Sequence, residues 1–273
     1  MAKIHNLNSK SDNIMKRIYI HVLAITFLLL LSCTTMEDLR VIRQVTGPIE
    51  TNCYLIYGTK SKEAALIDPG WRIDTLTAFI KENDLNLKYI FVTHGHIDHF
   101  YYLPEIKKQF PKVSWCINKE DYQGIFTYPE WALKNYGQEW VDNARIDPET
   151  REYIDFDNQL IGVPDLFVEN GQIFKLGYSE IRTILSPGHS PGGTCYYTGN
   201  ILFSGDVLFY RTCGRTDTQY GSREDQIKSL RKLYELFPDS TIVYPGHGQL
   251  TDIGSEKKEN SRVTVDGGEW INK

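Results

Sequence analysis

Three imidazoles and a carboxylate fall within six residues of the segment Thr93-His94-Gly95-His96-Ile97-Asp98-His99. The two other histidines beyond residue 33 also sit beside glycine, in Ser186-Pro187-Gly188-His189-Ser190 and Pro245-Gly246-His247-Gly248. A further carboxylate follows a strand-like run in Ser204-Gly205-Asp206. A lone histidine is usually a packing residue, but here all five occupy glycine- or proline-bearing turns and none is left for ordinary packing. Imidazole nitrogens and carboxylate oxygens suit zinc and related divalent ions, and loops at strand ends can bring them together. Seven donors, His94, His96, Asp98, His99, His189, Asp206 and His247, exceed the need of one tetrahedral ion. They match a two-metal site, whose ions lie roughly 3.5 to 4 Å apart and hold a hydroxide of lowered pKa, with Asp206 placed to bridge them. Zinc is the expected metal, with iron or manganese as alternatives.

The pattern His94-x-His96-x-Asp98-His99, then His189, Asp206 and His247, resembles the metallo-β-lactamase superfamily of hydrolases over about residues 41 to 262. The resemblance implies an α/β fold, an αββα sandwich with the metals at one edge of its paired sheets. It also implies that His94, His96 and His189 hold one ion, Asp98, His99 and His247 the other, and that Asp206 bridges. Thr51-Asn52-Cys53-Tyr54, Leu66-Ile67-Asp68-Pro69-Gly70, Ser186 to Gly192 and Cys213-Gly214-Arg215-Thr216-Asp217 resemble glyoxalase II-like thioester hydrolases. The closing Tyr244-Pro245-Gly246-His247-Gly248 with Thr251-x-Ile253-Gly254-x-Glu256 resembles their short bacterial branch. No segment here corresponds to the helical glutathione-binding domain of glyoxalase II itself. The expected activity is therefore hydrolysis of an ester-like bond, a thioester first, by attack of a metal-bridging hydroxide that Asp98 orients or relieves of a proton.

Four features around the ligands carry two readings each. Asp68 either braces a metal-binding loop or only starts a turn before Pro69-Gly70. Arg215 either meets a substrate carboxylate or pairs internally with Asp217 or Glu224. Tyr210 either polarises a substrate carbonyl or packs in the core. The aromatic stretch from 119 to 168 is expected to be a mostly helical excursion, acting as a lid over the metals or packing only its own helices.

The elements that must position these residues follow from periodicity. Val41–Val45, Cys53–Tyr57 and Ala64–Ile67 read as a β-meander broken by Gly47-Pro48 and Gly58-Thr59. Leu76, Phe79 and Ile80 recur at helical spacing, and Leu87–Val92 is the strand that delivers the histidine cluster. Leu103, Ile106 and Phe110 mark a helix stopped by Pro111, followed by a strand over Val113–Ile117. Strands are expected at 172–176, 181–185, 194–198, 201–204 and 241–244, with a helix through Ile227, Leu230, Leu233 and Leu236. Residues 254–260 read as polar surface, with a terminal strand near 263–265 and a C-terminal tail over 263–273.

Composition bounds the rest. The 273 residues are 41% hydrophobic and 24% charged with a net charge of −5, and beyond residue 33 they hold 26 basic against 34 acidic side chains. That balance argues against a nucleic-acid partner and leaves a small-molecule substrate. Lys16-Arg17, the apolar run Ile18–Leu31 and Ser32-Cys33 resemble a bacterial lipoprotein signal, too short for a span of roughly 20 residues. Residues 1–33 are then signal, Cys33 is lipidated, 34–40 are a tether, and the protein is expected in the cell envelope, touching membrane only through that lipid. Cys53, Cys116, Cys195 and Cys213 lack metal-ligand spacing and read as small buried hydrophobes. Other readings keep the ligands but change the chemistry: a lactone or phosphodiester hydrolase, an iron-dependent sulfur dioxygenase, or a non-catalytic binding lipoprotein stabilised by metal. A β-lactamase is disfavoured by Asp206, since those enzymes lack a bridging aspartate.

Overall fold

A computed structural model describes residues 39–264. The expected lipoprotein signal with Cys33, most of the expected tether and the tail beyond residue 264 lie outside the described residues. Two six-stranded sheets are formed, ordered β1-β2-β3-β4-β5-β6 and β12-β11-β10-β9-β8-β7.

The first sheet begins with β1 (Leu39–Thr46), β2 (Thr51–Gly58) and β3 (Glu63–Ile67), paired antiparallel as a meander. It continues in parallel through β4 (Asn86–Phe91), β5 (Ser114–Ile117) and β6 (Leu166–Phe167), with helices α1 (Asp74–Glu82) and α2 (Leu103–Gln109) in the crossovers. The second sheet is built from β7 (Ile173–Leu176), β8 (Ser179–Leu185), β9 (Thr194–Thr198), β10 (Ile201–Gly205), β11 (Ile242–Pro245) and β12 (Thr251–Asp252). Helix α6 (Arg223–Leu236) joins β10 to its parallel neighbour β11.

The layering follows from the two-residue period of strand side chains. Tyr54, Ile56, Ala65, Ile67 and Phe91 point from the first sheet into a shared core with Phe174, Ile181, Tyr196 and Phe203 of the second. Edge-on ring pairs cross that interface, Tyr54 with Phe203 at 5.2 Å and Phe91 with Phe174 at 5.0 Å. The alternate residues Cys53, Leu55, Ala64, Leu66 and Ile90 face outward under α1 and α2 through Leu76, Ile80, Leu103 and Ile106. On the far side Leu230, Leu233 and Tyr234 of α6 cover Cys195, Leu202 and Val243. Strands buried on both faces explain the unbroken apolar run of β2, and each large side chain buried contributes about 1.5–3 kcal/mol. The result is the αββα sandwich expected from the sequence.

The 119–168 excursion contains α3 (Lys119–Tyr136), α4 (Gln138–Ala144) and α5 (Pro148–Ile154), then returns to the first sheet as β6. The four described cysteines are free and buried. Among the described residues no helix is long and apolar enough to cross a membrane.

Two expectations are corrected. Residues 254–260 are not a polar surface segment: α7 spans Ile253–Glu259, capped by Asp252, and buries Ile253, Gly254 and Glu256. The Glu256 carboxylate is fully buried and accepts from Arg211, Thr251 and Asn260, a pairing that a charge-based reading cannot see. Val263 adds no regular strand; it is buried, and its carbonyl accepts from the Tyr234 hydroxyl at 3.1 Å. Val265 lies outside the described residues.

Candidate metal centre

The C-terminal ends of β3, β4, β8, β10 and β11 open onto one edge of the sandwich, where irregular backbone can converge without interrupting a ladder. Asp68 follows β3 and the Thr93–His99 segment follows β4. His189 lies after β8, Asp206 after β10 and His247 after β11. The seven expected ligands meet there in three overlapping trios, His94/His96/His189, His94/His99/Asp206 and Asp98/His99/His247. Within each trio the donor atoms lie within 4.8 Å of one another.

The first trio is tight. His94 Nε2 is 2.9 Å from His96 Nδ1, and His189 Nε2 is 3.2 Å from the first of these atoms and 2.9 Å from the second. Ligands at the usual zinc–nitrogen distance of about 2.0–2.1 Å in a tetrahedron stand roughly 3.3 Å apart, so three converging lone pairs fit a metal vertex set. Asp206 lies between the trios, with Oδ2 at 3.4 Å from His189 Nε2 and 3.6 Å from His247 Nε2, and Oδ1 at 3.6 Å from His99 Nε2. Asp98 Oδ2 is 3.1 Å from His99 Nε2 and 3.3 Å from His247 Nε2. Two atoms at the heart of this set, His99 Nε2 and Asp206 Oδ1, are buried without a hydrogen-bond partner. Orphaned polar atoms of that kind are rare unless something coordinates them, and the donors fit two divalent ions.

The partners of the other ring nitrogens set which nitrogen is offered. His189 Nδ1 donates to the Arg215 carbonyl at 2.7 Å, and His247 Nδ1 donates to the Ile49 carbonyl at 3.0 Å. His99 Nδ1 donates to Asp68 Oδ2 at 2.9 Å, while His94 Nδ1 sits 3.1 Å from the Thr93 hydroxyl. Those four rings thereby present Nε2 to the centre, and His96 presents Nδ1. Burial, reinforced by neighbouring imidazoles, holds His94 well below the ordinary histidine range, and burial pulls His96 down to about 3 and His189 to about 4. These rings are neutral, as ligation requires. Burial also pulls on His99 and His247, but the carboxylates around them outweigh it and raise both. For Asp98, burial is outweighed by His99 and His247, which keep the carboxylate ionised.

Asp68 braces. At a φ of 52° its carboxylate accepts from the Thr93 amide and hydroxyl, each at 2.7 Å, as well as from His99. Gly70 and Gly246 are there for space: a Cβ on Gly70 would stand 1.3 Å from the Asp98 carbonyl oxygen, and one on Gly246 2.2 Å from Asp206 Oδ1.

Arg215 forks onto Asp217, at 2.6 and 2.9 Å, and contributes its backbone carbonyl to His189. The internal pair is thus the one present, and Glu224 pairs with Lys228 instead. Tyr210 is not a core residue: it is 42% exposed and packs under the Arg211 guanidinium at 4.6 Å. Its neighbour Phe209 is the ring beside His247, 5.9 Å away. Within the excursion, Tyr128 stands edge-on to His96 at 5.5 Å, whereas Tyr153 donates to the Gly70 carbonyl and packs on Trp71. The excursion thus brings one ring beside the candidate ligands and anchors another on the loop after β3.

Three positioning residues were given no role by the sequence, although Thr51 and Asn52 stand in the Thr51-Asn52-Cys53-Tyr54 motif. Thr51 donates to Asp98 Oδ2 at 2.7 Å. Asn52 donates to the carbonyls of Pro245 and Gly248, clamping the His247 loop. Asp121, on α3, is buried and accepts from the Gly95 amide, the Ser190 hydroxyl and the Gly192 amide, tying together the two loops of the first trio. Burial pushes its carboxyl up to about 6 against the pull of those donors.

Fold and site together define a metal-binding αββα protein with a seven-donor centre at the sheet edge. The chain belongs to the metallo-beta-lactamase superfamily, whose sequence profile matches residues 46–247. It is 35% identical over 214 residues to the hydroxyacylglutathione hydrolase GloC of Haemophilus influenzae, an alignment spanning 77% of this chain and 92% of that protein. Among solved structures it is similar to the BLEG-1 B3 metallo-beta-lactamase, with a TM-score of 0.64, 30% identity and coverage of 81% of this chain and 98% of that one. It is also similar to TTHA1623 in a di-iron-bound form, with a TM-score of 0.62, 26% identity and coverage of 80% and 98%.

Proposed function

We propose that this protein is a dinuclear-metal hydrolase that cleaves a thioester. The observation that carries the reading is the convergence of six nitrogen and carboxylate donors around Asp206, with two buried atoms left unpartnered. His94, His96 and His189 would hold one ion, Asp98, His99 and His247 the other, with Asp206 between them. Bound there, divalent ions supply Lewis acidity toward an acyl oxygen and a water of lowered pKa. The chain's own residues do the rest. Thr51 fixes the Asp98 carboxylate, which is ionised and placed to orient a water or hold its proton. Overall the C–S bond breaks, the water oxygen ends on the acyl carbon, and the thiol leaves with a proton. Similarity to a hydroxyacylglutathione hydrolase supports the thioester, and zinc is the first metal to test, with iron next because a di-iron relative exists.

Similarity to a B3 metallo-beta-lactamase makes a lactam the second reading, with Asp206 standing against it as argued from the sequence. Protein lacking residues 1–33, loaded with zinc or iron, is expected to hydrolyse S-acyl thioesters at least a hundredfold faster than β-lactams, lactones or phosphodiesters, and to lose that rate on chelation. A preference for any other bond would replace the thioester assignment; oxygen uptake with one iron per chain would replace hydrolysis altogether.

The basic pair, apolar run and Cys33 support an envelope location with a lipid anchor. Full-length protein made in a bacterium is expected to incorporate labelled palmitate, and Cys33→Ser to incorporate none. Equal labelling of the two would remove the anchor.

A further inference from the structure

Beside the metal centre, on its His96 side, a shallow, solvent-open recess runs between α3 and the 218–220 turn. Its walls are His96, Gly124, Tyr128, Pro191 and Tyr220. We propose that this recess is the acyl subsite and that it takes an uncharged, apolar acyl group; the inference rests on the thioester reading.

The buried Asp121 carboxylate on the recess wall is engaged by three donors at 2.7–3.1 Å, and the Gln219 side-chain NH2 donates to the Thr127 hydroxyl at 2.8 Å. No lysine or arginine lines it, and the nearby Arg215 is forked onto Asp217. The walls offer a carboxylate-bearing group no basic side chain, whereas a flat apolar group meets the Tyr128 ring and the Pro191 edge.

Gly124 supplies a second, independent argument. A glycine inside a helix costs about 0.8–1 kcal/mol relative to alanine. Its backbone here is ordinary helix, and an added Cβ would meet nothing within 4 Å, so neither conformation nor packing calls for it. What it provides is open volume in front of His96. Outward from Tyr128 the rings continue as a ladder, Tyr128 to Trp131 at 5.7 Å, Trp131 to Tyr136 at 5.4 Å and Tyr136 to Trp140 at 4.8 Å. An apolar surface thus leads from solvent to the recess.

The test uses metal-loaded protein and two substrate series, one varying the acyl group from acetyl to phenylacetyl on a fixed thiol, the other varying the thiol on acetyl. Wild type is expected to favour phenylacetyl over acetyl, and Gly124→Leu and Tyr128→Ala to lower that ratio of kcat/KM about tenfold or more. Calorimetry with the non-hydrolysable ketone analogue of the phenylacetyl thioester reads the recess without turnover, and its affinity is expected to fall about tenfold in Gly124→Leu. A flat acyl series, selectivity that follows the thiol, or an unchanged ratio in both variants would overturn the subsite. Analogue binding that Gly124→Leu weakens, with no thioester turnover in wild type, would keep the recess and remove the hydrolase reading instead.

Discussion

Asp206→Ala is expected to purify with less than one metal ion per chain where the unaltered protein is expected to hold two, and to lose thioester turnover by at least about a hundredfold. The side chain sits between both halves of the centre, with carboxylate oxygens 3.4–3.9 Å from ring nitrogens of His94, His99, His189 and His247. Two dications repel four times as strongly as two unit charges at the same distance, and an anion between them offsets that term. Alanine removes the only carboxylate that reaches both trios and leaves the His99 and His94 rings facing each other at a centroid distance of 4.0 Å. The cost falls on metal binding before it falls on stability, because Asp206 is held by its ring neighbours and not by core packing. Metal content by elemental analysis, read beside turnover, checks this. Two ions per chain with an undiminished rate would sink the dinuclear assignment.

The candidate ligands were legible in the sequence as a converging set because their signal is local. His94-x-His96-x-Asp98-His99 follows one strand directly, and glycine or proline flags His189, Asp206 and His247 as strand-end residues. The sandwich was legible for a related reason, since apolar runs such as Cys53–Tyr57 reveal strands covered on both faces. Apart from Asp68, readable as a brace or a turn, what holds these residues in place was not, because it comes from far along the chain. Thr51 reaches Asp98 across 47 residues, and Asp121 reaches Gly192 across 71. The motif around Thr51 does not say what its hydroxyl meets, and an aspartate in a charged helix looks like any other until the fold brings it to the centre. The same limit explains Glu256, whose burial depends on Arg211, and Arg215, whose backbone carbonyl rather than its charge serves His189.

The bracing by Asp68 leads to a sharper test than its removal. Asp68→Asn keeps the size and tolerates the left-handed φ of 52°, a conformation in which asparagine is common. Its carbonyl oxygen can still accept from the Thr93 amide at the Oδ1 position. At the Oδ2 position an amide NH2 replaces an acceptor that now receives protons from both Thr93 Oγ1 and His99 Nδ1. That NH2 would donate to His99 Nδ1, driving the ring proton to Nε2, the nitrogen that faces Asp98 and Asp206. A protonated Nε2 cannot ligate, so the His99 trio loses a donor with almost no change in shape. Outer partners of metal-bound histidines typically contribute 10–100-fold in affinity, and a tautomer error belongs at the upper end of that range. The expected result is a protein with near-normal thermal unfolding that retains about one ion, bound by His94, His96 and His189, and loses the second at least about tenfold more readily. Turnover should fall with occupancy of the second ion and recover in part at high metal concentration. Loss of both ions together, or a variant indistinguishable from the unaltered protein, would show that the Asp68–His99 hydrogen bond does not set which nitrogen the ring presents.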